Sequence, residues 1–195
     1  MSAPLPRRTD RLPHLVVMGV SGTGKTSVAG LLAERLGLTF VEGDALHPRA
    51  NVAKMSAGQP LTDDDRAPWL AALAAEVRRH EALGAGTVLT CSALRRRYRD
   101  ALRAGDAPGS RLFVHLEAPA ALLRERMERR EHFMPASLLD SQLATLEPLG
   151  PDEPGMRVDV SAPLAVVVDR VVEALQRGRS EAGPRAGDPV VGPGR

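Results

Sequence analysis

Four consecutive apolar residues, Leu15-Val-Val-Met18, follow a proline-broken polar start and run into a glycine-rich turn. An apolar run of that length without polar alternation predicts a strand buried on both faces, as in a parallel sheet. Behind the turn, positions 27–36 favour a helix that stops at Gly37. Short β-branched or apolar runs at 39–41, 87–91 and 111–116, and a briefer one at 157–160, predict four more strands. Helical segments are predicted between them at about 49–57, 65–83, 93–104, 119–131, 135–146 and 163–177. Strands alternating with helices predict an α/β fold: a three-layer, doubly wound, five-stranded parallel sheet with its chemistry at the strand carboxyl ends. Residues 1–13 read as a flexible lead-in, 14–177 as one domain, and 178–195, dense in Gly and Pro, as a disordered tail. No internal repeat is present.

Composition narrows this picture. A chain of 195 residues, 43% hydrophobic, suits a single domain with a sizeable core. The net charge of +2 argues against general nucleic-acid binding. No apolar run approaches the ~18–20 residues of a membrane span, and no signal-peptide pattern follows Arg7 and Arg8. The single cysteine, Cys91, excludes an internal disulfide and fits a cytoplasmic protein. At the end of a buried strand, it reads as a small core residue. Only Lys25 and Lys54 among the 26 cationic side chains are lysines. The remaining arginines suit clusters at phosphates or an acidic substrate.

The glycine-rich turn is Gly19-Val-Ser-Gly-Thr-Gly-Lys-Thr26, which satisfies every fixed position of the phosphate-binding pattern G-x-x-x-x-G-K-[ST] between a strand and a helix. Its glycines let successive N–H groups converge on phosphate oxygens, and the following helix adds its positive end. Gly19, Val20, Ser21, Gly22, Thr23, Gly24, Lys25 and Thr26 are therefore the expected nucleotide site. Within it, Lys25 is expected on the β/γ-phosphates of ATP and the Thr26 hydroxyl on Mg²⁺.

Other clusters fall at strand ends. After the second strand, Asp44 is placed to face the γ-phosphate and take a proton from a substrate hydroxyl or help position Mg²⁺, or else to turn the chain or cap a helix; His47 and Arg49 lie nearby. Thr62 or Asp63 reads as a helix N-cap, with Asp63, Asp64 and Asp65 as dipole-matched acids, while Arg66 is harder to explain as surface and Trp69 reads as core. After the third strand, Arg95 and Arg99 stand four apart and are expected to share a helix face. Arg126 and Arg130 do the same on an arginine-dense helix running to His132 and Pro135, which suits either a closing lid at about 124–142 or a charge-paired surface helix.

Taken with the phosphate loop, the blocks Glu42-Gly-Asp-Ala-Leu-His-Pro48, Asn51-Val-Ala-Lys-Met55, Gly58-Gln-Pro-Leu-Thr-Asp63, Asp65-Arg-Ala-Pro-Trp-Leu70, Cys91-Ser-Ala-Leu94, Tyr98-Arg-Asp100, His132-Phe-Met134 and Ser141-Gln142 through Leu146-Glu147 resemble, in order, the gluconokinases of the shikimate-kinase-like P-loop group. The resemblance covers roughly residues 14–175. It implies a nucleoside-monophosphate-kinase-like fold with a mobile lid, and transfer of the γ-phosphoryl of ATP to the 6-hydroxyl of D-gluconate. On that resemblance Lys25 and Asp44 are catalytic. His47, Arg49, Arg66, Arg95 and Arg99 are substrate candidates, with the four arginines unranked for the carboxylate. Arg126, Arg130 and His132 belong to the lid, and residues 159–163 lie near the adenine. It further implies a homodimer. The glycine that usually precedes the family's His-Phe pair is missing here, which bears on the alignment of the lid arginines. Two other readings stay open: a kinase for a different small hydroxy acid such as shikimate, and an ATP-binding switch with little chemistry.

Overall fold

The computed structural model describes residues 13–107, 109–129 and 136–181. Five parallel strands, β1 (His14–Met18), β2 (Thr39–Val41), β3 (Thr87–Thr90), β4 (Arg111–Glu117) and β5 (Gly155–Asp159), stand in the order β2-β3-β1-β4-β5. β1 is central, with Val16 level with Leu89 of β3 on one side and Phe113 of β4 on the other. Seven α-helices are described: α1 (Lys25–Leu36), α2 (Arg49–Ser56), α3 (Asp63–Ala82), α4 (Arg96–Arg103), α5 (Ala120–Glu128), α6 (Ala136–Thr145) and α7 (Leu164–Glu181). A 3₁₀ turn, Gly43–Leu46, precedes α2.

The side-chain period of two in a strand decides the layering. Leu15 and Val17 of β1 join Val28 and Leu32 of α1 and Val168 and Val171 of α7 on one face. Val16 and Met18 join Leu73 and Val77 of α3 and Leu102 of α4 on the other. Because both faces are covered, all five residues of β1 are buried. The connection leaving β1 passes over the α1 face and the one leaving β3 over the α4 face, so a crevice opens where their carboxyl ends diverge.

Several boundaries differ from expectation, among them β5 and α3, which start two residues early at Gly155 and Asp63. The predicted helix at 93–104 starts only at Arg96, because Ala93 takes a left-handed φ of 43° and turns the chain first. The first helix begins two residues early, at Lys25, directly behind Gly24. The last helix passes through Gly178 and on to Glu181, where a disordered tail was expected to begin at 178. A helical glycine costs only about 1 kcal/mol, and the Glu173–Arg177 pair at 3.6 Å supports those turns. The expected lead-in and the rest of the expected tail lie outside the described residues.

The chain leaves β2 through a narrow gap. The Gly43 N–H donates to Thr90 Oγ1 at 2.9 Å, and the Thr90 hydroxyl donates in turn to Glu42. A Cβ on Gly43 would lie 1.8 Å from the Thr90 carbonyl oxygen, so no larger residue fits without moving β3 or the turn. Gly43→Ala is therefore expected to lower unfolding stability by on the order of 2–4 kcal/mol; a urea midpoint equal to that of the unsubstituted protein would show that the turn yields at no cost.

A second constraint sits in β4. His115 is fully buried, with Nδ1 accepting from the Leu149 N–H at 3.4 Å and standing 3.2 Å from Glu117 Oε1. Burial pushes its pKa down to about 4, with nearby Arg157 and Arg99 adding to the effect and Glu117 opposing it. As pH falls, the unfolded chain takes up this proton near 6.5 and the folded one only near 4, so stability is lost across that window. The loss is on the order of 2–3 kcal/mol. Urea midpoints between pH 7 and 4.5 should fall less steeply in His115→Leu than in the unsubstituted protein, and equal slopes would assign the acid sensitivity to other groups.

Candidate active site

The phosphate loop joins β1 to α1, and its shape follows from who caps whom. Gly24, the N-cap of α1, has φ 83°, and no side chain caps the helix. The first N–H groups of α1 are thereby left without a side-chain cap, as in a helix start that binds an anion. The Thr23 hydroxyl donates to the Val20 carbonyl at 2.8 Å and Lys25 Nζ donates to the same oxygen at 3.3 Å, which folds the loop over itself. The Gly19 N–H donates to the Ser92 carbonyl at 3.3 Å and ties the loop to the end of β3.

Beside the loop is a pocket whose wall includes Ser21, Lys25, Asp44, His47, Arg66 and Trp69, together with Ser92, Leu94, Ser141, Gln142 and Thr145. Asp44 is exposed on the 3₁₀ turn, whose position is set by two groups from α3 and β3. Trp69 Nε1 donates to the Gly43 carbonyl at 2.8 Å while Thr90 holds the Gly43 N–H. The Trp69 ring stacks on His47 at 3.9 Å and 16° between planes, so the expected core tryptophan is also a wall of the pocket. Burial lowers the His47 pKa below its ordinary 6.5, Arg66 adds to the effect, and Asp44 opposes it. The ring is accordingly neutral at pH 7, able both to give and to take a hydrogen bond.

Arg66 reaches the pocket from the second turn of α3. Thr62 caps this helix in a box with Asp65: the Asp65 N–H donates to Thr62 Oγ1 at 3.2 Å, and the Thr62 N–H donates to Asp65 Oδ2 at 2.8 Å. A hydrogen bond from Lys54 at 2.6 Å and the Thr62 contacts hold the Asp65 pKa at about 2. The expectation of a capping role for this acid segment is met. Arg66 Nη1 donates to the Leu61 and Thr62 carbonyls, and its guanidinium lies 5.4 Å over the Tyr98 ring.

The other expected residues divide. Arg49 is exposed at the first turn of α2 and Arg95 stands 3.9 Å from Asp63 at the start of α4; neither lines the pocket. Arg99 overturns its reading as a substrate ligand. It is 1% exposed and paired with Glu153 through two contacts of 2.7 Å, with Nη1 donating to the Ala93 and Glu147 carbonyls. Arg95 caps α4 while Arg99 turns inward, so the two share no ligand-facing surface. Arg126 Nη2 donates to the Val160 carbonyl at 2.8 Å, placing it beside residues 159–163 rather than in the pocket. Arg130 and His132 lie outside the described residues. Cys91 is buried, with its pKa pushed up to about 12 by that burial, as a core thiol should be. Thr26 is exposed on the first turn of α1.

Ser141 and Gln142 entered the sequence reading only as a block of the resemblance and at the end of the expected lid, and neither they nor Thr145 were given a role in the pocket. Their signal was available in α6: Leu139, Leu143 and Leu146 pack with Val20, Leu94 and Leu123, which leaves positions 141, 142 and 145 to face the pocket.

Comparison with known proteins agrees with this geometry. A family model described as an AAA domain matches residues 15–149. The chain is 58% identical over 163 residues to a gluconokinase of Gluconobacter oxydans, covering 83% of this chain and 90% of that protein. It is 40% identical over 166 residues to the thermoresistant gluconokinase of Escherichia coli, covering 84% and 94%. The crystal structure of a gluconokinase from Sinorhizobium meliloti superposes with a TM-score of 0.79 at 48% identity, covering 87% of this chain and 94% of that one. The P-loop, the Asp44 turn and the Arg66 helix thus converge on one pocket in a chain that belongs to the gluconokinase family of P-loop kinases.

Proposed function

We propose that this protein transfers the γ-phosphoryl group of ATP to the 6-hydroxyl of D-gluconate, giving 6-phosphogluconate and ADP. The observation that carries the reading is the single pocket in which Lys25 of the phosphate loop, Asp44 and Arg66 meet. Phosphoryl transfer asks a protein for alignment and charge neutralisation more than for covalent chemistry. The loop N–H groups and Lys25 hold the phosphates. Asp44 orients the acceptor hydroxyl and takes its proton as the oxygen attacks phosphorus and the bond to the β-phosphate oxygen breaks. Arg66, the one arginine among the candidates that lines the pocket, pairs with the carboxylate of the acid. Neutral His47, stacked on Trp69, hydrogen-bonds a hydroxyl of the sugar chain.

Among the described residues no cluster of three or more His, Cys, Asp or Glu side chains is placed to cage a metal. Mg²⁺ is held chiefly by phosphate oxygens with one or two protein oxygen ligands, and the exposed Thr26 hydroxyl directly behind Lys25 is such a donor. Thr26 would supply its hydroxyl, and the ion would neutralise charge on the phosphates. The family resemblance further implies a homodimer working in the cytoplasm, which sedimentation and cell fractionation test.

The deciding experiment is ADP release in a coupled assay with Mg²⁺ and ATP, offering D-gluconate beside shikimate and other sugar acids. Gluconate alone should stimulate turnover; stimulation by another acid would move the substrate, and stimulation by none with ATP still bound would leave a nucleotide-binding switch. In the same assay Asp44→Asn should lose at least about 100-fold in kcat while still binding nucleotide. Arg66→Met should raise the KM for gluconate by about 10- to 100-fold, and an unchanged KM would remove Arg66 from the carboxylate site.

A further inference from the structure

The Ser21 N–H donates to Gln142 Oε1 at 2.7 Å, a contact between the phosphate loop and α6 across 121 residues of sequence. Three observations make this more than a surface contact. Ser21, Gln142, Lys25 and Asp44 line the same pocket, so the carboxamide shares it with the groups proposed to hold the phosphate and the acceptor. α6 is seated firmly, with Leu139 fully buried against the cluster that holds Val20 of the loop, and Arg124 of α5 pairing with Asp140 at 2.7 Å. The contact also fixes which way the planar group points. With Oε1 on the loop N–H, the NH₂ end of the same carboxamide is held one bond angle away, beside the loop.

From this geometry we infer that Gln142 is a positioning residue for the γ-phosphate. Its oxygen braces the loop at Ser21, and its NH₂ group donates to an oxygen of the phosphoryl being transferred. Terminal phosphate oxygens are acceptors only, so a fixed N–H donor at that place favours ATP over ADP, and it does so without adding charge to a pocket that must also admit an anionic acid. The inference deepens the kinase reading and rests on it.

Gln142→Glu separates the two halves of the carboxamide. A carboxylate keeps an acceptor for the Ser21 N–H but puts a negative oxygen where the NH₂ stood, against the γ-phosphate. Calorimetric titrations of ADP and of a non-hydrolysable ATP analogue, each with Mg²⁺ and no acid acceptor, read the effect. Gln142→Glu should weaken the ATP analogue at least about tenfold while ADP affinity stays within about threefold. Gln142→Met, of similar length and lacking both hydrogen-bonding ends, should shift the same ratio in the same direction by a smaller factor and lower kcat. Thermal unfolding of both variants shows whether each is folded, and Gln142→Met carries the test if Gln142→Glu is not. Equal weakening of the two nucleotides, or weakening of neither, would overturn the inference while leaving the kinase reading intact. Failure of the unsubstituted protein to bind either nucleotide would overturn both.

Discussion

A buried guanidinium holds the site together. Arg99 lies 1% exposed beneath the crevice, where an unpaired charge would cost several kcal/mol. Glu153 meets it with both carboxylate oxygens at 2.7 Å, and the Ala93 and Glu147 carbonyls take a third nitrogen. The Glu153 pKa falls because those hydrogen bonds to Arg99 and to the Gly150 N–H outweigh the effect of burial. The arrangement satisfies the charge and fixes three segments at once: the helix that carries Arg99, the 147–153 connection, and the turn at 92–94.

That turn is the point through which the two halves of the site are joined. Ala93 has a left-handed φ of 43°, a conformation a residue with a Cβ keeps only when its surroundings demand it. Bent this way, the chain offers its carbonyls in different directions: Ser92 to the Gly19 N–H of the phosphate loop, Ala93 to Arg99, and Leu94 to the Glu147 N–H at 2.7 Å. Ser92 and Leu94 themselves form part of the pocket wall. A charge that never touches substrate therefore sets the distance between the nucleotide loop and the acceptor wall.

The parts of the molecule that could be read from sequence are those in which a local rule decides the outcome. A continuous apolar run is a strand covered on both faces, and β1 is one. A loop with four fixed residue types between strand and helix is recognisable because the backbone itself does the binding. Thr62 and Asp65 are three residues apart, so the capping box is a local matter as well. Arg99 was misread for the opposite reason. Four residues from Arg95, it looked like half of a cationic face, and nothing nearby in the sequence announces Glu153, which closes on it from 54 residues away. Gln142 was quoted in the resemblance but given no place in the pocket on the same ground, since its partner Ser21 lies 121 residues off. Trp69 was half read: its burial is a matter of helix periodicity, while its hydrogen bond to Gly43 and its stack on His47 depend on how α3 meets the end of β2.

The same contrast separates the two substrates. Phosphate is gripped by backbone N–H groups, so a short stretch of sequence suffices and many enzymes share it. The pocket proposed for the acid is lined by side chains drawn from the 3₁₀ turn, the stretch before α3, α3 itself and α6, whose mutual placement is tertiary. On the proposed reading, selectivity for the acceptor depends on how Arg66 is held, and the capping box, the Lys54–Asp65 pair and the Tyr98 ring under Arg66 are what hold it. The capping box lies at the start of α3, while Lys54 reaches it from α2 and Tyr98 from α4. Exchanging one acid substrate for another, on that reading, calls for changes at the start of α3 and at its contacts on α2 and α4, with the phosphate loop and the buried Arg99–Glu153 pair left untouched.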